Sequence, residues 1–527
     1  MTRRLTLPLL LAAAALLAYH NSFQGQFLFD DIGPIVGNPA LARLWPFHPD
    51  WFASPQDPLT HRPLVRLSLA FNDAIGGLQV WGYHAVNLLV HLAAGLTLFG
   101  LIRRTLLQPR LPPGMGRCAE PLALAAALLW LVHPVQTHCV TFVIRRAEAM
   151  VGLFYLLTLY GLARCAVSDR PTAWRACAVV SCALGMMTKE VMVTCPVAAL
   201  LYDRIFLSSG WRELWRKRGG LHAGLAATWG VLALLIAVEP PVRSAGLEFP
   251  TLSFRENLLT QLGLLAYYLR LSLWPHPLVL DYDWPVARGF SEIAPQAAVT
   301  LLLGTLTLWL LRRQPALGFL GVWFFLPQVP TTLLVIPREI AAEHRLYLPL
   351  AGISVAVVLA TFRLLQVAFG EAGRPPRRAL RTGAILVAAA ALALTGLTIR
   401  RNRDYHDPVA MWRDTIAKRP LNASAHYNLG VVLLRQARYA EAVEPFLEAV
   451  RIRPGFAEAY VNLAFAYGRI GRPVEAQICL GVARGIHGDY PNAIAHFQEA
   501  LRLDPQNPQA RKNLEAALRL KEQVPPR

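Results

Sequence analysis

Apolar runs close to 20 residues long recur along the chain from Leu5 to Ile399 and then stop. At 1.5 Å per residue, a helix of that length crosses the hydrocarbon core of a bilayer. The runs predict spans over 5–19, 83–102, 120–133, 149–163, 174–188, 191–207, 221–238, 293–311, 315–336, 346–364 and 382–399, eleven in all. A further run, 256–274, carries Glu256, Gln261 and Arg270 and is apolar only in part. Beyond Arg400 the sequence turns polar while keeping helical periodicity. The expected organisation is a membrane domain over 1–403 with a large loop at 20–82, a linker over 404–420, and a soluble helical array over 421–521. The fold class is all-α, a polytopic membrane domain followed by an α-α repeat solenoid.

That array shows an internal period. Ala425-His-Tyr-Asn-Leu-Gly430 recurs as Ala459-Tyr-Val-Asn-Leu-Ala464, and Glu441-Ala442 as Glu475-Ala476, both 34 residues on. Small and aromatic residues at fixed helix positions with this period are the tetratricopeptide signature. Pro454 and Pro505 close second helices, since proline cannot continue one. A third copy, Tyr490–Ala500, matches Tyr439–Ala449 at an offset of 51, half a repeat out of step. One helix has been lost by this reading, and 473–487 serves as second helix of one repeat and first of the next. The segment 507–521 reads as a polar capping helix. Such arrays take peptides or proteins in a concave groove, so a protein partner is expected here.

Composition changes the picture in three ways. Hydrophobic residues make up 54% and charged residues 16%, with a mean hydropathy of +0.37, as a membrane protein requires. The net charge of +19 does not imply a nucleic-acid partner, because the arginines sit in short clusters between apolar runs. Those clusters are Arg103, Arg104, Arg110 and Arg117; Arg212, Arg216, Lys217 and Arg218; Arg312 and Arg313; and Arg374, Arg377, Arg378 and Arg381. All face the cytoplasm if the N-terminus is inside and 256–274 lies in the interface without crossing. The loops 20–82, 134–148, 189–190, 239–292 and 337–345 are then extracytoplasmic, as are the repeats. Arg400, Arg401 and Arg403 fall on the wrong side in this arrangement, and a crossing at 256–274 would move the repeats to the cytoplasm. Short arginine-rich loops fit a bacterial inner membrane. Met1–Tyr19 carries Arg3 and Arg4 but no small-x-small cleavage site, and reads as an uncleaved span rather than a signal peptide. The seven cysteines form no CxxC pair and read as small apolar packing residues.

Nearly every unusual polar cluster falls in the extracytoplasmic segments, although the orientation argument did not use them. Ionisable residues at membrane depth are costly and are functional candidates by default. They are Asp30-Asp31, His61-Arg62, His133 with His138, Arg145-Arg146 with Glu148, Lys189-Glu190, and Glu343 with Arg345 and Tyr347. Adjacent carboxylates raise each other's pKa, hold a cation, or provide a base. A divalent metal at Asp30 and Asp31 is one expectation. Arg145, Arg146, Lys189 and Arg345 suit a phosphate or pyrophosphate at the bilayer surface. His84, Asn87 and His91 share one helix face, where interhelical hydrogen bonding explains them as well as a ligand site does.

In order, Phe29-Asp30-Asp31, His61-Arg62-Pro63-Leu64, Trp81-Gly82-Tyr83-His84-x-x-Asn87, His133-Pro134-x-x-Thr137, Arg146-Ala147-Glu148, Thr188-Lys189-Glu190 and Glu343-x-Arg345-Leu346-Tyr347-Leu348-Pro349, then the repeats, resemble one family. The chain is similar to the transmembrane-and-tetratricopeptide-repeat O-mannosyltransferases. The resemblance implies a C-type glycosyltransferase fold and a polyprenyl-phosphate-linked sugar as donor. It further implies an extracytoplasmic site whose catalytic acid is Asp30 or Asp31. His138 stands where relatives usually carry Glu, and Arg145 where they usually carry Gly, which puts donor identity in question. The expected reaction is inverting sugar transfer. Asp30 or Asp31 is the base on an acceptor hydroxyl, and Lys189, Arg345 and Arg145 or Arg146 offset the leaving phosphate. Glu190 and Glu343 orient these cations, and His61, His133 and His138 bind phosphate or order the loop. Two rival expectations stand beside it: a non-catalytic anchor whose repeats assemble other proteins, and a transferase acting on lipid or polysaccharide.

Overall fold

The computed structural model describes residues 2–38, 41, 59, 62–112, 115–238, 252–334, 339–371 and 376–523. Among them the secondary structure is helical throughout, with no strand. The chain divides into two compact units, the larger built from Met1–Leu278, Pro285–Arg338 and Ala342–His406.

Among the described residues of the larger unit, seven helices are long and apolar enough to cross a membrane: Leu5–Gln24, Val80–Leu106, Val143–Cys165, Trp211–Ala237, Ala294–Arg313, Pro349–Ala368 and Arg377–Arg403. An eighth candidate is a pair, Met115–Leu131 and Pro134–Val140, bent by 51°. The expected spans at 174–188, 191–207 and 315–336 are shorter or broken. Pro171–Met186 has 16 residues, Cys195–Tyr202 has 8, and Pro315–Phe325 has 11. Prolines explain the breaks: Pro196 starts a helix, while Pro327 and Pro330 interrupt the regular ladder, and proline supplies no N–H. Helix Phe254–Leu273 is not among the seven. Ser253 and Glu256 form a capping box at its start, and its buried face carries Asn257, Thr260 and Gln261.

One end of this bundle gathers the loops that matter. The Asn402 amide donates to the carbonyl of Ala18 at 3.0 Å, and Asn21 donates to the carbonyl of Ile399 at 2.8 Å. These bonds bring the C-terminal ends of the first and last helices to the same level. Thr141 donates to the Asn402 side chain at 2.7 Å, so the loop after the bent pair joins them. Trp130 locks the adjoining core, its indole donating to the Tyr347 carbonyl at 2.9 Å, with the two rings edge to face at 5.0 Å. Gly152 lies against one edge of the Tyr347 ring, where a Cβ would overlap it.

The second unit comprises Val279–Trp284, Glu339–Ala341 and Asp407–Arg527. Pro408–Lys418 is helical, where the sequence suggested a linker, because Asp407 caps it through the amides of Val409 and Ala410 and Pro408 suits a first turn. Six helices follow, Ala423–Arg435, Tyr439–Ile452, Ala457–Arg469, Pro473–Ile486, Tyr490–Leu503 and Pro508–Gln523. Gly430 lies against Phe446 across the first helix pair, with no room for a side chain. Gly481 lies against Phe497 in the same way, so Pro473–Ile486 presents to its successor the small residue that a first helix presents.

Candidate active site

The Asp30-Asp31 pair sits on a single turn, Phe29–Asp31, shortly after the first helix. Phe29 holds a φ of 37°, a left-handed conformation that a bulky residue adopts only when its surroundings impose it. The two carboxylates then part company. Asp31 is fully buried, accepting the Leu28 amide at 2.9 Å on one oxygen and the Ile144 amide at 2.7 Å on the other. It ties the first loop to the turn Val143–Arg145. Burial pushes its carboxyl up from 3.8 to about 8, outweighing those two amides. The Asp30 side chain is 40% exposed and receives Arg145 Nη2 at 3.0 Å. The structure therefore gives the neighbouring acids different work, one as a backbone clamp and one facing outward beside a cation.

The two arginines also separate. Arg146 is fully buried, donating to Asn87 Oδ1 at 2.6 Å, to the Ser68 carbonyl at 3.0 Å and to the Tyr83 carbonyl at 3.0 Å. It staples helix Pro63–Gly76 to the start of Val80–Leu106. Asn87 in turn donates to the Val140 carbonyl at 3.1 Å. Arg145 carries the charge on the Asp30 side.

A pocket opens at the same end, walled by Glu148, Val151, Lys189, Val191, Pro327, Gln328, Thr331, His344, Arg345, Tyr347, Leu348 and Pro349. Lys189 is paired with Glu148, and His344 Nε2 lies 3.3 Å from the same carboxylate. Burial first, then the charges of Arg145 and Lys189, hold His344 well below the usual imidazole range, so it is neutral at pH 7. His138 meets His344 edge-on at 5.2 Å and lies 3.9 Å from Glu343. Arg62 reaches Glu190 at 3.5 Å. Of the other candidates, His133 accepts the Val135 amide at 3.3 Å and caps a turn. Tyr347 bonds His91 at 2.9 Å through its hydroxyl. His61 lies outside the described residues.

Two members went unnoticed in the sequence. Arg401 is 3.7 Å from Glu343 and 2.9 Å from Asp404, and is nearly buried. Its signal was the charge rule, which the expected orientation makes it breach together with Arg400 and Arg403. Gln328 is buried in the pocket wall and donates to the Arg345 carbonyl at 3.4 Å. The signal there was a polar residue between two prolines in an apolar run.

Chemically, the arrangement offers one outward carboxylate, a cationic pocket with an apolar wall, and carboxylates that fix its cations. It suits a phosphate-bearing amphiphile with a hydroxyl nearby. It does not suit a divalent cation at the aspartates, since both Asp31 oxygens already accept amides and Arg145 faces Asp30.

A family model described as dolichyl-phosphate-mannose-protein mannosyltransferase matches residues 60–238, and tetratricopeptide repeat models match 394–455 and 474–507. The chain is 27% identical to protein O-mannosyl-transferase Tmtc3 of Drosophila melanogaster, over 89% of this chain and 57% of that protein. It is 27% identical to protein O-mannosyl-transferase TMTC4 of Mus musculus, over 83% of this chain and 65% of that protein. It therefore spans about three-fifths of the length of the curated relatives it matches. Among solved structures, ArnT from Cupriavidus metallidurans bound to undecaprenyl phosphate aligns with a TM-score of 0.39 and 15% identity, over 93% of this chain and 79% of that one. With the two kinds of family model matching in this order, and alignments crossing most of the chain, this integral membrane protein is similar along most of its length to the transmembrane-and-tetratricopeptide-repeat protein O-mannosyltransferases.

Proposed function

We propose that the protein is a membrane glycosyltransferase that moves a sugar from a polyprenyl-phosphate donor to a hydroxyl of an acceptor protein. The observation that carries the reading is the pairing of an outward carboxylate, Asp30, with a pocket lined by Lys189, Arg345 and His344 at the same end of the helical bundle. Relatives named as protein O-mannosyl-transferases support it.

Asp30 takes the proton of the acceptor hydroxyl as that oxygen bonds the anomeric carbon. The bond from that carbon to the phosphate oxygen breaks on the opposite face, so the product is inverted and polyprenyl phosphate leaves. A positioned base of this kind supplies roughly 10²–10⁴-fold. Lys189 and Arg345 offset the charge that grows on the leaving phosphate, and Glu148 holds Lys189 in place. Val151, Val191, Leu348 and Pro349 give the polyprenyl chain an apolar wall. Neutral His344 donates or accepts a hydrogen bond without adding charge. In this reading the site and the repeats are extracytoplasmic, at a bacterial inner membrane, and the repeats present the acceptor. No step requires a metal.

The test is release of free polyprenyl phosphate from short-chain polyprenyl-phosphate sugars by the detergent-purified protein and by its Asp30→Asn, Asp31→Asn double variant. Release that needs the carboxylates supports the enzyme and identifies the donor. Silence with every donor, from variants that fold, leaves a scaffold in its place. Retained transfer after removal of residues 420–527 favours a lipid or polysaccharide acceptor.

A further inference from the structure

The helices Val80–Leu106 and Arg146–Cys165 start together, where Arg146 holds Asn87 and the Tyr83 carbonyl, and they end together about 30–40 Å away. The far end carries a second group of charged and aromatic side chains, which the proposed reaction does not use. Arg104, in the last turn of Val80–Leu106, lies 5.4 Å from the centre of the Tyr160 ring. Tyr160 meets Trp174, in the first turn of Pro171–Met186, edge to face at 5.8 Å. The Arg164 guanidinium lies 4.4 Å from the Trp174 ring. Two arginines thus flank two aromatic rings. Glycines set the spacing: a Cβ on Gly100 would strike the Tyr160 ring at 2.8 Å, and one on Gly161 would come within 3.1 Å of Ala178 and of the Trp174 carbonyl. The three helix ends therefore approach closely and fix the rings on which the arginines rest. Charge at this end is one-sided. Glu120 holds Arg103 at 2.8 Å, Asp203 holds Arg218 at 2.6 Å, and Glu213 holds Lys217 at 2.7 Å. Arg175 donates to the Lys217 carbonyl at 3.3 Å, which brings that last pair beside the helix of Trp174. Among the described residues, neither Arg104 nor Arg164 meets a carboxylate, and the Arg164 Nε–H is buried without an acceptor.

We propose that Arg104 and Arg164, set against Tyr160 and Trp174, bind the phosphodiester headgroup of an anionic phospholipid. A planar guanidinium meets phosphate oxygens through two parallel N–H groups. Tryptophan and tyrosine favour the headgroup level of a bilayer, where the ring faces apolar chains and its polar edge stays wet. The aromatic faces hold both guanidiniums without neutralising them, so the charges are in position before the lipid arrives. Basic pockets between membrane helices take anionic headgroups by this chemistry. In the expected orientation this end meets the cytoplasmic leaflet, where anionic lipids concentrate. The bound headgroup offsets two uncompensated charges and ties together the ends of three helices. The site lies at the opposite end of the bundle from Asp30 and the pocket, so it stands apart from the transferase reading.

The test is lipid binding to the full-length protein in a neutral detergent, read by native mass spectrometry. The probes are phosphatidylglycerol and phosphatidylcholine with the same acyl chains, and the wild type prefers phosphatidylglycerol. Arg104→Gln and Arg164→Gln each weaken phosphatidylglycerol binding about fivefold, the contribution of one basic residue at an anionic surface, and leave phosphatidylcholine unmoved. Trp174→Leu keeps both charges but removes the face that holds Arg164, and weakens phosphatidylglycerol about two- to fivefold. Arg117→Gln removes an exposed arginine from the same end and changes the affinity less than about twofold, since a solvated charge is screened. The Arg104→Lys, Arg164→Lys variant keeps the charge, and so the fold, but loses the planar fork and also binds phosphatidylglycerol more weakly. An unchanged preference for phosphatidylglycerol in the site variants overturns the proposal. So does an equal loss in Arg117→Gln, which would mark a general attraction to anionic surfaces. Displacement of phosphatidylglycerol by inorganic phosphate at comparable concentration would make this a site for a soluble anion and overturn the lipid assignment.

Discussion

The sharpest consequence of the geometry is that two adjacent aspartates fail differently. Replacing Asp30 by Asn removes an ion pair whose carboxylate is 40% exposed, an interaction worth at most about 1 kcal/mol. The folded protein should barely register it, and the melting temperature in detergent should move by about 1 °C or less. On the proposed mechanism, losing this carboxylate should lower the rate of polyprenyl phosphate release by about 10²–10⁴-fold at saturating donor. Replacing Asp31 by Asn reverses the pattern. Its two oxygens accept the amides of Leu28 and Ile144, and an Asn side chain offers only one acceptor, turning its NH₂ toward the other amide. A buried N–H left in this way costs about 1–3 kcal/mol. The loss should appear as a lower melting temperature and a loosened first loop, with a smaller fall in rate that follows the loss of positioning. The assay is paired, with thermal unfolding and donor turnover measured on the same preparations of both single variants. Full activity in Asp30→Asn, together with an inactive Asp31→Asn of unchanged stability, would refute the assignment and exchange the roles.

Other outcomes follow from the same contacts. The Asp31 carboxyl, raised by burial from 3.8 to about 8, favours its protonated form in the folded state. Its contribution is complete below pH 3.8 and is lost as pH rises through 8, with an upper limit of about 6 kcal/mol. The wild type should therefore lose thermal stability between pH 5 and 8, and Asp31→Asn should lose less of it. Arg146→Lys should fail to assemble in good yield, because an ammonium gathers its donors at one point and cannot span the acceptors on Asn87, Ser68 and Tyr83 that the planar guanidinium reaches, and each buried acceptor left unpaired costs about 1–3 kcal/mol. Size-exclusion recovery after detergent extraction checks it. Gly152→Ala should push on the Tyr347 ring and strain its bond to His91, costing about 1–3 kcal/mol, and Tyr347→Leu should relieve part of that cost in a double-mutant cycle.

Why the sequence carried some of this and not the rest is a matter of range. Apolar runs and the 34-residue period are local, since a helix needs only its own residues to be amphipathic or apolar throughout. The order of polar clusters, Asp30 to Tyr347, was legible because membrane burial makes each ionisable side chain conspicuous. What each cluster does was not legible, because it depends on partners far along the chain. Asp31 is a clamp because the Ile144 amide comes to it, and Arg146 is a staple because Asn87, Ser68 and Tyr83 surround it. Neither fact leaves a mark on the dipeptides Asp30-Asp31 or Arg145-Arg146 themselves. Arg401 shows the converse. It stood out only as a breach of the charge rule in the expected orientation, and its pairing with Glu343 and Asp404 would give such a breach a local reason. An arginine held by two carboxylates presents little net charge to orientation. The exceptions to a charge pattern are thus the positions to inspect first for a site, ahead of the residues that obey it.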